Sequence, residues 1–296
     1  MIGAGPAGVA AAVMACSLNL RTTTLDAGPI GGKLHRISAL VNVPGSWTTG
    51  PRLAEALAAD LERLREGGRC TVEQGRAVKV SGHDERAELT LEDGRVLTAD
   101  TIVVATGVTD LAPSDVEWVT AAADFSAPPL WRATPQELTG RTYVLGADRP
   151  LGTWLRAHPD VTTTLHVLCP PTDRYKAAEV EDDPRVRLVP VSHVAITKPR
   201  YGEGWTVVVT GQDGAETVYS VTSILSNLGN KPAALPGLVT DEDGYCPQDQ
   251  QHRRIRIAGD LRSARYQRIV TAQGSGAEAV LAYYYDIALS RGGGGR

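Results

Sequence analysis

The chain has 296 residues, enough for two domains of ordinary size, and its 42% hydrophobic and 22% charged content is that of a globular protein. A formal net charge of −4 argues against nucleic acid as a partner, which selects a basic face, and no apolar run reaches the roughly 18 residues needed to span a bilayer. Cys16, Cys70, Cys169 and Cys246 lie too far apart in sequence for a CxxC redox or zinc motif; in a chain read as soluble and cytoplasmic they are expected to be free thiols, with no metal site.

Helix-like and strand-like segments alternate, which predicts an α/β fold. Met1–Ile2 runs straight into Gly3-Ala4-Gly5-Pro6-Ala7-Gly8, followed by a small-residue helix to about Asn19 and a short strand at Arg21–Leu25. Leu53, Leu57, Leu61 and Leu64 form one helical face within Pro51–Arg65. Arg76–Ser81, Ala87–Leu91 and Val96–Thr98 read as a meander with an Asp93-Gly94 turn, and Thr101–Ala105 as a buried strand. Ala112–Thr139 reads as an interdomain linker or substrate-shaping loop. A second βαβ start follows at Arg141–Leu145, with a helix from about Leu151 and a strand at Thr164–Leu168. Glu179–Asp183 reads as a solvated acidic turn, and Trp205–Thr210 with Glu216–Ser220 as a hairpin. Ile255–Ala258 is the next predicted strand and Ala272–Tyr285 the last helix, with Tyr283-Tyr284-Tyr285 at a helix end or dimer contact. The glycine-rich tail Arg291–Arg296 reads as disordered.

Gly3-x-Gly5-x-x-Gly8 has the spacing of a dinucleotide fingerprint. Its glycines permit a tight turn, close approach of backbone to a pyrophosphate, and close helix–strand packing, while the helix start offers free N–H groups. Asp26 follows at the distance of the acid that binds the adenosine ribose. Only two residues precede Gly3, whereas a strand typically has about five, so the native start is expected to lie upstream, with Met1 inside the first strand.

With these motifs in place, the sequence resembles the thioredoxin reductase branch of the FAD-dependent pyridine nucleotide–disulfide oxidoreductases. Gly31-Gly32-Lys33-Leu34 and Val41-Asn42-Val43-Pro44-Gly45 resemble the family segment that runs along FAD. Ala105-Thr106-Gly107 resembles its ATG motif. Ala258-Gly259-Asp260, Tyr266-Gln267-Arg268-Ile269 and Thr271-Ala272-x-Gly274-Ser275-Gly276 resemble its last flavin motif, in which the Asp binds the ribityl chain. The resemblance implies two Rossmann-like domains of the three-layer ββα type. An FAD domain at 1–110 and 230–296 would be interrupted by an NAD(P)-binding-like domain at 111–229. It implies FAD contacts from Gly3, Gly5, Pro6, Ala7, Gly8, Asp26, Gly32, Lys33, Leu34, Asn42, Ala105, Thr106, Gly107, Gly259, Asp260, Gln267, Arg268 and Ile269. A homodimer is the expected assembly.

Two departures matter. Where the family carries its cysteine pair followed by Asp, this chain reads Thr120-Ala121-Ala122-Ala123-Asp124, which leaves no thiolate for a dithiol relay. Asp124, His35 and Lys33 then stand as candidate acids or bases. The second fingerprint, Gly146-Ala147-Asp148-Arg149-Pro150-Leu151-Gly152, has a carboxylate where backbone should meet pyrophosphate, and the usual basic cluster is absent after His166. Gly146, Gly152 and Arg174 are what remains for NAD(P)H, whose binding the sequence leaves open. Trp47, Trp131 and Trp154 are candidates to line a pocket, against a default role in packing.

The first expectation is therefore an FAD-dependent dehydrogenase or oxidase that takes hydride directly from a small molecule, with oxygen or a protein carrier as acceptor. The alternatives are an NAD(P)H-dependent flavin reductase of a protein or quinone, and a non-catalytic flavin-binding scaffold.

Overall fold

The computed structural model describes residues 1–288 apart from 38, 139 and 200–203; the tail expected to be disordered lies outside them. The chain divides into two compact units, residues 1–109 with 232–296 and residues 110–231.

The first unit opens with Ile2, which forms parallel bridges to Leu25 and to Val104. Helix α1 (Pro6–Ser17) follows, then β1 (Thr22–Asp26), α2 (Gly50–Glu66) and β2 (Cys70–Gln74). An antiparallel meander comes next, β3 (Ala77–Gly82), β4 (Ala87–Leu91) and β5 (Val96–Ala99). β6 (Ile102–Val104) returns to the main sheet and β7 (Val108–Asp110) leads out of the unit.

The second unit contains β8 (Val119–Ala121), β9 (Thr142–Leu145), α3 (Pro150–Ala157), β10 (Leu165–Cys169), β11 (Val186–Pro190), β12 (His193–Thr197), β13 (Trp205–Thr210), β14 (Glu216–Val221) and β15 (Ser223–Ser226). The chain leaves through β16 (Asn230–Pro232) and completes the first unit with β17 (Ile255–Ile257) and α4 (Ile269–Tyr283).

Both units repeat one three-layer plan. In the first, β2, β1, Ile2, β6 and β17 run parallel as one sheet. Alternation of side chains along a strand divides its residues between two faces. Ile2, Leu25, Ile102 and Val104 pack with Val80, Leu89 and Leu91 of the meander, while Val103 and Ala105 pack with α1 and α4. Helix α1 is therefore enclosed and apolar nearly all round rather than amphipathic. Its small residues let α4 approach: a Cβ at Gly276 would stand 2.0 Å from the Ala7 carbonyl oxygen. α2 is amphipathic, and buries Leu53, Leu57 and Leu61. Around Met1 and Ile2 the first unit also holds a cleft of about 650 Å³, bordered by Thr22, Leu25, Ala99 and Ile102.

In the second unit a parallel sheet ordered β11-β10-β9-β15 faces a second sheet ordered β14-β13-β12-β8. Tyr143, Leu145, Leu168 and Ile224 point between the sheets; Val144, Val167 and Leu225 point to α3, against Leu151, Trp154 and Leu155. The segment read as a linker is thus part of this unit, because β8 pairs with β12 and Leu130, Ala133 and Leu138 enter its core. Trp154 is core rather than pocket lining, 3% exposed, with its indole N–H donating to the Ala133 carbonyl at 2.8 Å. The acidic run is not a purely solvated turn. Val180 is buried, and Asp183 holds Arg185 through both carboxylate oxygens.

Candidate functional site

The first glycine-rich loop is shaped by two contacts that admit no side chain. A Cβ at Gly3, whose φ is +97°, would lie 2.4 Å from the Ala105 carbonyl oxygen. One at Gly8 would lie 1.8 Å from the carbonyl oxygen of Gly3 itself, so the first turn of α1 sits directly on the loop. Gly5 is different: nothing lies within 4 Å of its would-be Cβ, so its front is open. Gly5 is the extended N-cap of α1, Pro6 stands at the helix start, and no side chain caps the helix. Free N–H groups and the positive end of the helix dipole therefore meet that open space. Asp26, at the end of β1, accepts hydrogen bonds from the N–H groups of Ala4 at 2.5 Å and Gly28 at 2.7 Å, which ties the loop to the strand. This cradle fits a dinucleotide pyrophosphate.

The other FAD-motif residues arrive from distant stretches. Thr106 donates its hydroxyl to the Ala233 carbonyl at 2.7 Å, and Gly107 takes a φ of +68°. Gly259, φ +72°, packs against Ala7, and its N–H donates to the Ser275 hydroxyl at 2.8 Å. Gln267 donates to the carbonyls of Asp260 and Ser263, and Arg268 and Ile269 begin α4. Burial pushes the Asp260 carboxyl above the usual range, while the positive charges of Lys33 and Arg268 pull it back. Two segments more than two hundred residues apart, around Lys33 and around Asp260 and Arg268, thus meet electrostatically. Leu34 is buried, whereas Gly32, Lys33 and Asn42 are exposed.

The candidate acids and bases fare differently. The His35 ring is engaged with the Ile30 carbonyl through Nε2 at 2.7 Å, a contact that anchors the Gly31–Arg36 turn. Asp124 pairs with Lys198 at 2.5 Å, which holds its carboxyl below the usual range. Thr120 bonds His193 Nε2 through its hydroxyl at 3.0 Å, a partner that sequence spacing had not suggested. All four cysteines are buried free thiols, and burial raises Cys16, Cys169 and Cys246, the last to about 11.

In the second loop Gly146, φ +86°, closes against the Asn227 carbonyl oxygen, 2.5 Å from a would-be Cβ. The Asp148 N–H donates to that same oxygen, and the Asn227 side-chain amide donates back to the Asp148 carbonyl at 2.8 Å. The space beside the loop is only about 20 Å³, and Trp131, Asp148, Pro150 and Asn227 line it. Gly152 faces the Glu179 carboxylate. Arg174 is held by Glu181 at 2.8 Å, at the border of a cavity of about 450 Å³ formed by Cys169, Pro170, Pro171, Leu188 and Pro190. Burial pulls Lys176 down, but its pairing with Asp173 and the charge of Asp148 together raise it above the usual range.

A family model described as FAD-NAD(P)-binding matches residues 48–109. Thioredoxin reductases of Listeria innocua and Listeria monocytogenes are each 25% identical over 310 residues, covering 93% of this chain and 89% of theirs. Among solved structures, Lactococcus lactis thioredoxin reductase in its FR conformation superposes with a TM-score of 0.71 at 20% identity, covering 96% of this chain and 97% of that one. T. acidophilum thioredoxin reductase gives 0.69 at 17% identity, with 96% of each chain covered. With its two Rossmann-like units and its dinucleotide cradle, the chain is similar to thioredoxin reductases in fold and over almost its whole sequence.

Proposed function

We propose that this protein is a dehydrogenase or oxidase in which a small-molecule donor passes hydride to the flavin without a cysteine relay. Bound FAD supplies the two-electron acceptor. In this reading the Gly3–Gly8 loop and the first N–H groups of α1 hold the pyrophosphate. Asp26 holds the ribose, and Asp260 the ribityl chain. Lys33 and Arg268 favour the ionised form of Asp260, the stronger hydrogen-bond acceptor. The N-terminus of α4 favours negative charge near its dipole. Electrons leave to oxygen or to a protein carrier, and the assembly proposed is a homodimer.

The observation that supports direct oxidation most is the difference between the loops. Gly5 faces open space, whereas the second loop is backed by about 20 Å³ and lined by Trp131 and Asp148. The thiols support it too, being buried and outside any short-spaced pair. A second reading, an NAD(P)H-dependent reductase, is favoured by the cavity of about 450 Å³ beside Arg174, at the carboxyl ends of β10 and β11 where such folds bind nucleotides. Anaerobic mixing of the FAD-loaded protein with NADPH or NADH separates them. Persistence of the flavin colour is the expected result; rapid bleaching by either nucleotide selects the reductase.

A further inference from the structure

At the amino-terminal edge of the second unit's parallel sheet, away from its glycine-rich loop, basic and aromatic side chains meet in one row. Register sets Tyr143 of β9 beside His166 of β10, and His166 beside Arg187 of β11. Their side chains therefore share a face. Arg141 lies two residues before Tyr143, against its hydroxyl. The His166 ring stacks on Tyr143 with centroids 5.3 Å apart, and Tyr219 of β14 meets the other side of Tyr143, also at 5.3 Å. Tyr143 is 2% exposed, so the floor of this row is fixed by packing, while both arginines reach solvent.

Charge here is one-sided. Among the described residues neither Arg141 nor Arg187 forms an ion pair with a carboxylate, whereas Glu179, Glu181 and Asp183 pair with Arg156, Arg174 and Arg185. Burial first, and then the charges of Arg141 and Arg187, disfavour the protonated form of the His166 imidazole. An oxyanion between the arginines would relieve the repulsion through charge-assisted hydrogen bonds.

We propose that Arg141, His166 and Arg187 form a binding site for a small phosphate-class dianion, separate from any dinucleotide site. Tyr143 and Tyr219 hold the imidazole in place and keep its far side dry. By linkage, the anion raises the affinity of His166 for its proton, and protonation of His166 raises the affinity for the anion. The affinity for the dianion therefore strengthens as pH falls through the His166 titration. The share of phosphate present as dianion falls over the same range, so the dissociation constant is referred to the dianion concentration at each pH. The groups facing that ring are Arg141 and Tyr143 from β9 and Arg187 from β11, with Tyr219 of β14 behind Tyr143.

The test is an NMR titration of the His166 ring in the full-length protein with inorganic phosphate, at ionic strength held constant with sodium chloride. The expected result is a saturable shift and a higher His166 pKa, with binding at least about tenfold weaker in both Arg141→Gln and Arg187→Gln. These variants change exposed side chains, so their folded spectra should be retained. A parallel titration with adenosine 5′-monophosphate identifies the source: tighter binding than phosphate indicates an ester ligand, and equal or weaker binding indicates the free anion. A shift that chloride reproduces, or phosphate binding unchanged in both variants, overturns the site.

Discussion

The two glycine-rich loops begin alike and then diverge. At Gly3 and Gly146 the chain takes a φ of +97° and +86°, and a Cβ would meet a carbonyl oxygen of the adjoining chain at 2.4 and 2.5 Å. That first glycine serves the sheet: it lets the strand turn beneath its neighbour's end, and it is needed whether or not a ligand binds. The second position serves the ligand. Gly5 leaves backbone bare toward open space, while Asp148 and Trp131 border the small void at the other loop. A first glycine thus reports a Rossmann-like turn, and the second position reports whether backbone is bared to a nucleotide.

The largest expected effect is at the third glycine of the first loop. Gly8→Ala would drive a Cβ to within 1.8 Å of the Gly3 carbonyl oxygen, which is backbone with no room to retreat. Overpacking of this kind costs about 3 kcal/mol or more. We expect loss of bound flavin and a clearly lower urea midpoint. Normal FAD occupancy in this variant would show that α1 can slide off the loop and that the closure described here is not required.

Asp260→Ala should weaken FAD by removing one hydrogen bond to a charged group, about 1.5–3 kcal/mol, or roughly tenfold to a hundredfold. Flavin fluorescence on dilution measures it. An unchanged dissociation constant would remove Asp260 from the ribityl position.

The second loop should bind NADPH with a dissociation constant above about 100 μM, equivalent to roughly −5.5 kcal/mol. Asp148→Gly alone removes one charge but leaves Trp131 bordering the void. The pair Asp148→Gly with Trp131→Ala should therefore gain more, at least about tenfold, than the single variant. Calorimetry decides it, and micromolar NADPH binding by the unaltered protein would defeat direct oxidation.

Much of this contrast was legible in the sequence. The fingerprint spacing, Asp26 and the alternation of helix-like and strand-like segments were enough for an α/β fold with a dinucleotide loop, because they are set by local geometry; the three-layer ββα plan was implied by the family resemblance. Contacts between remote segments were not. Nothing in the order of residues announces that Lys33 and Arg268 both act on Asp260, or that Thr120 meets His193. The partners of His35 and Asp124 were equally hidden, since His35 meets a carbonyl five residues back and Asp124 meets Lys198 just past the end of β12. The thiols also change their test. Alkylation would have to open the fold to reach four buried cysteines, so replacing all four with alanine or serine is the cleaner experiment. Turnover per folded protein should then stay within about twofold, since such a loss is below 1 kcal/mol of barrier.

The smallest expected effect is the sharpest control. Gly152 stands two residues after the proline that opens α3, as Gly8 stands two after Pro6, so motif reading alone would treat the two as equivalent. Their surroundings differ. A Cβ at Gly152 meets the Glu179 carboxylate at 2.2 Å, the far end of a flexible side chain that is 45% exposed and loosely paired with Arg156 at 3.3 Å. Glu179 can swing outward, and an exposed pair of this kind is worth about 0–1 kcal/mol. Against that loss, alanine inside a helix is favoured over glycine by about 0.8–1 kcal/mol. The terms nearly cancel, so Gly152→Ala should change stability by less than about 1 kcal/mol and leave flavin content untouched. Equilibrium urea unfolding of Gly8→Ala and Gly152→Ala side by side tests the distinction. If the second variant were as damaged as the first, α3 would have to sit on its loop as α1 does, and the second loop would regain its standing as a nucleotide site.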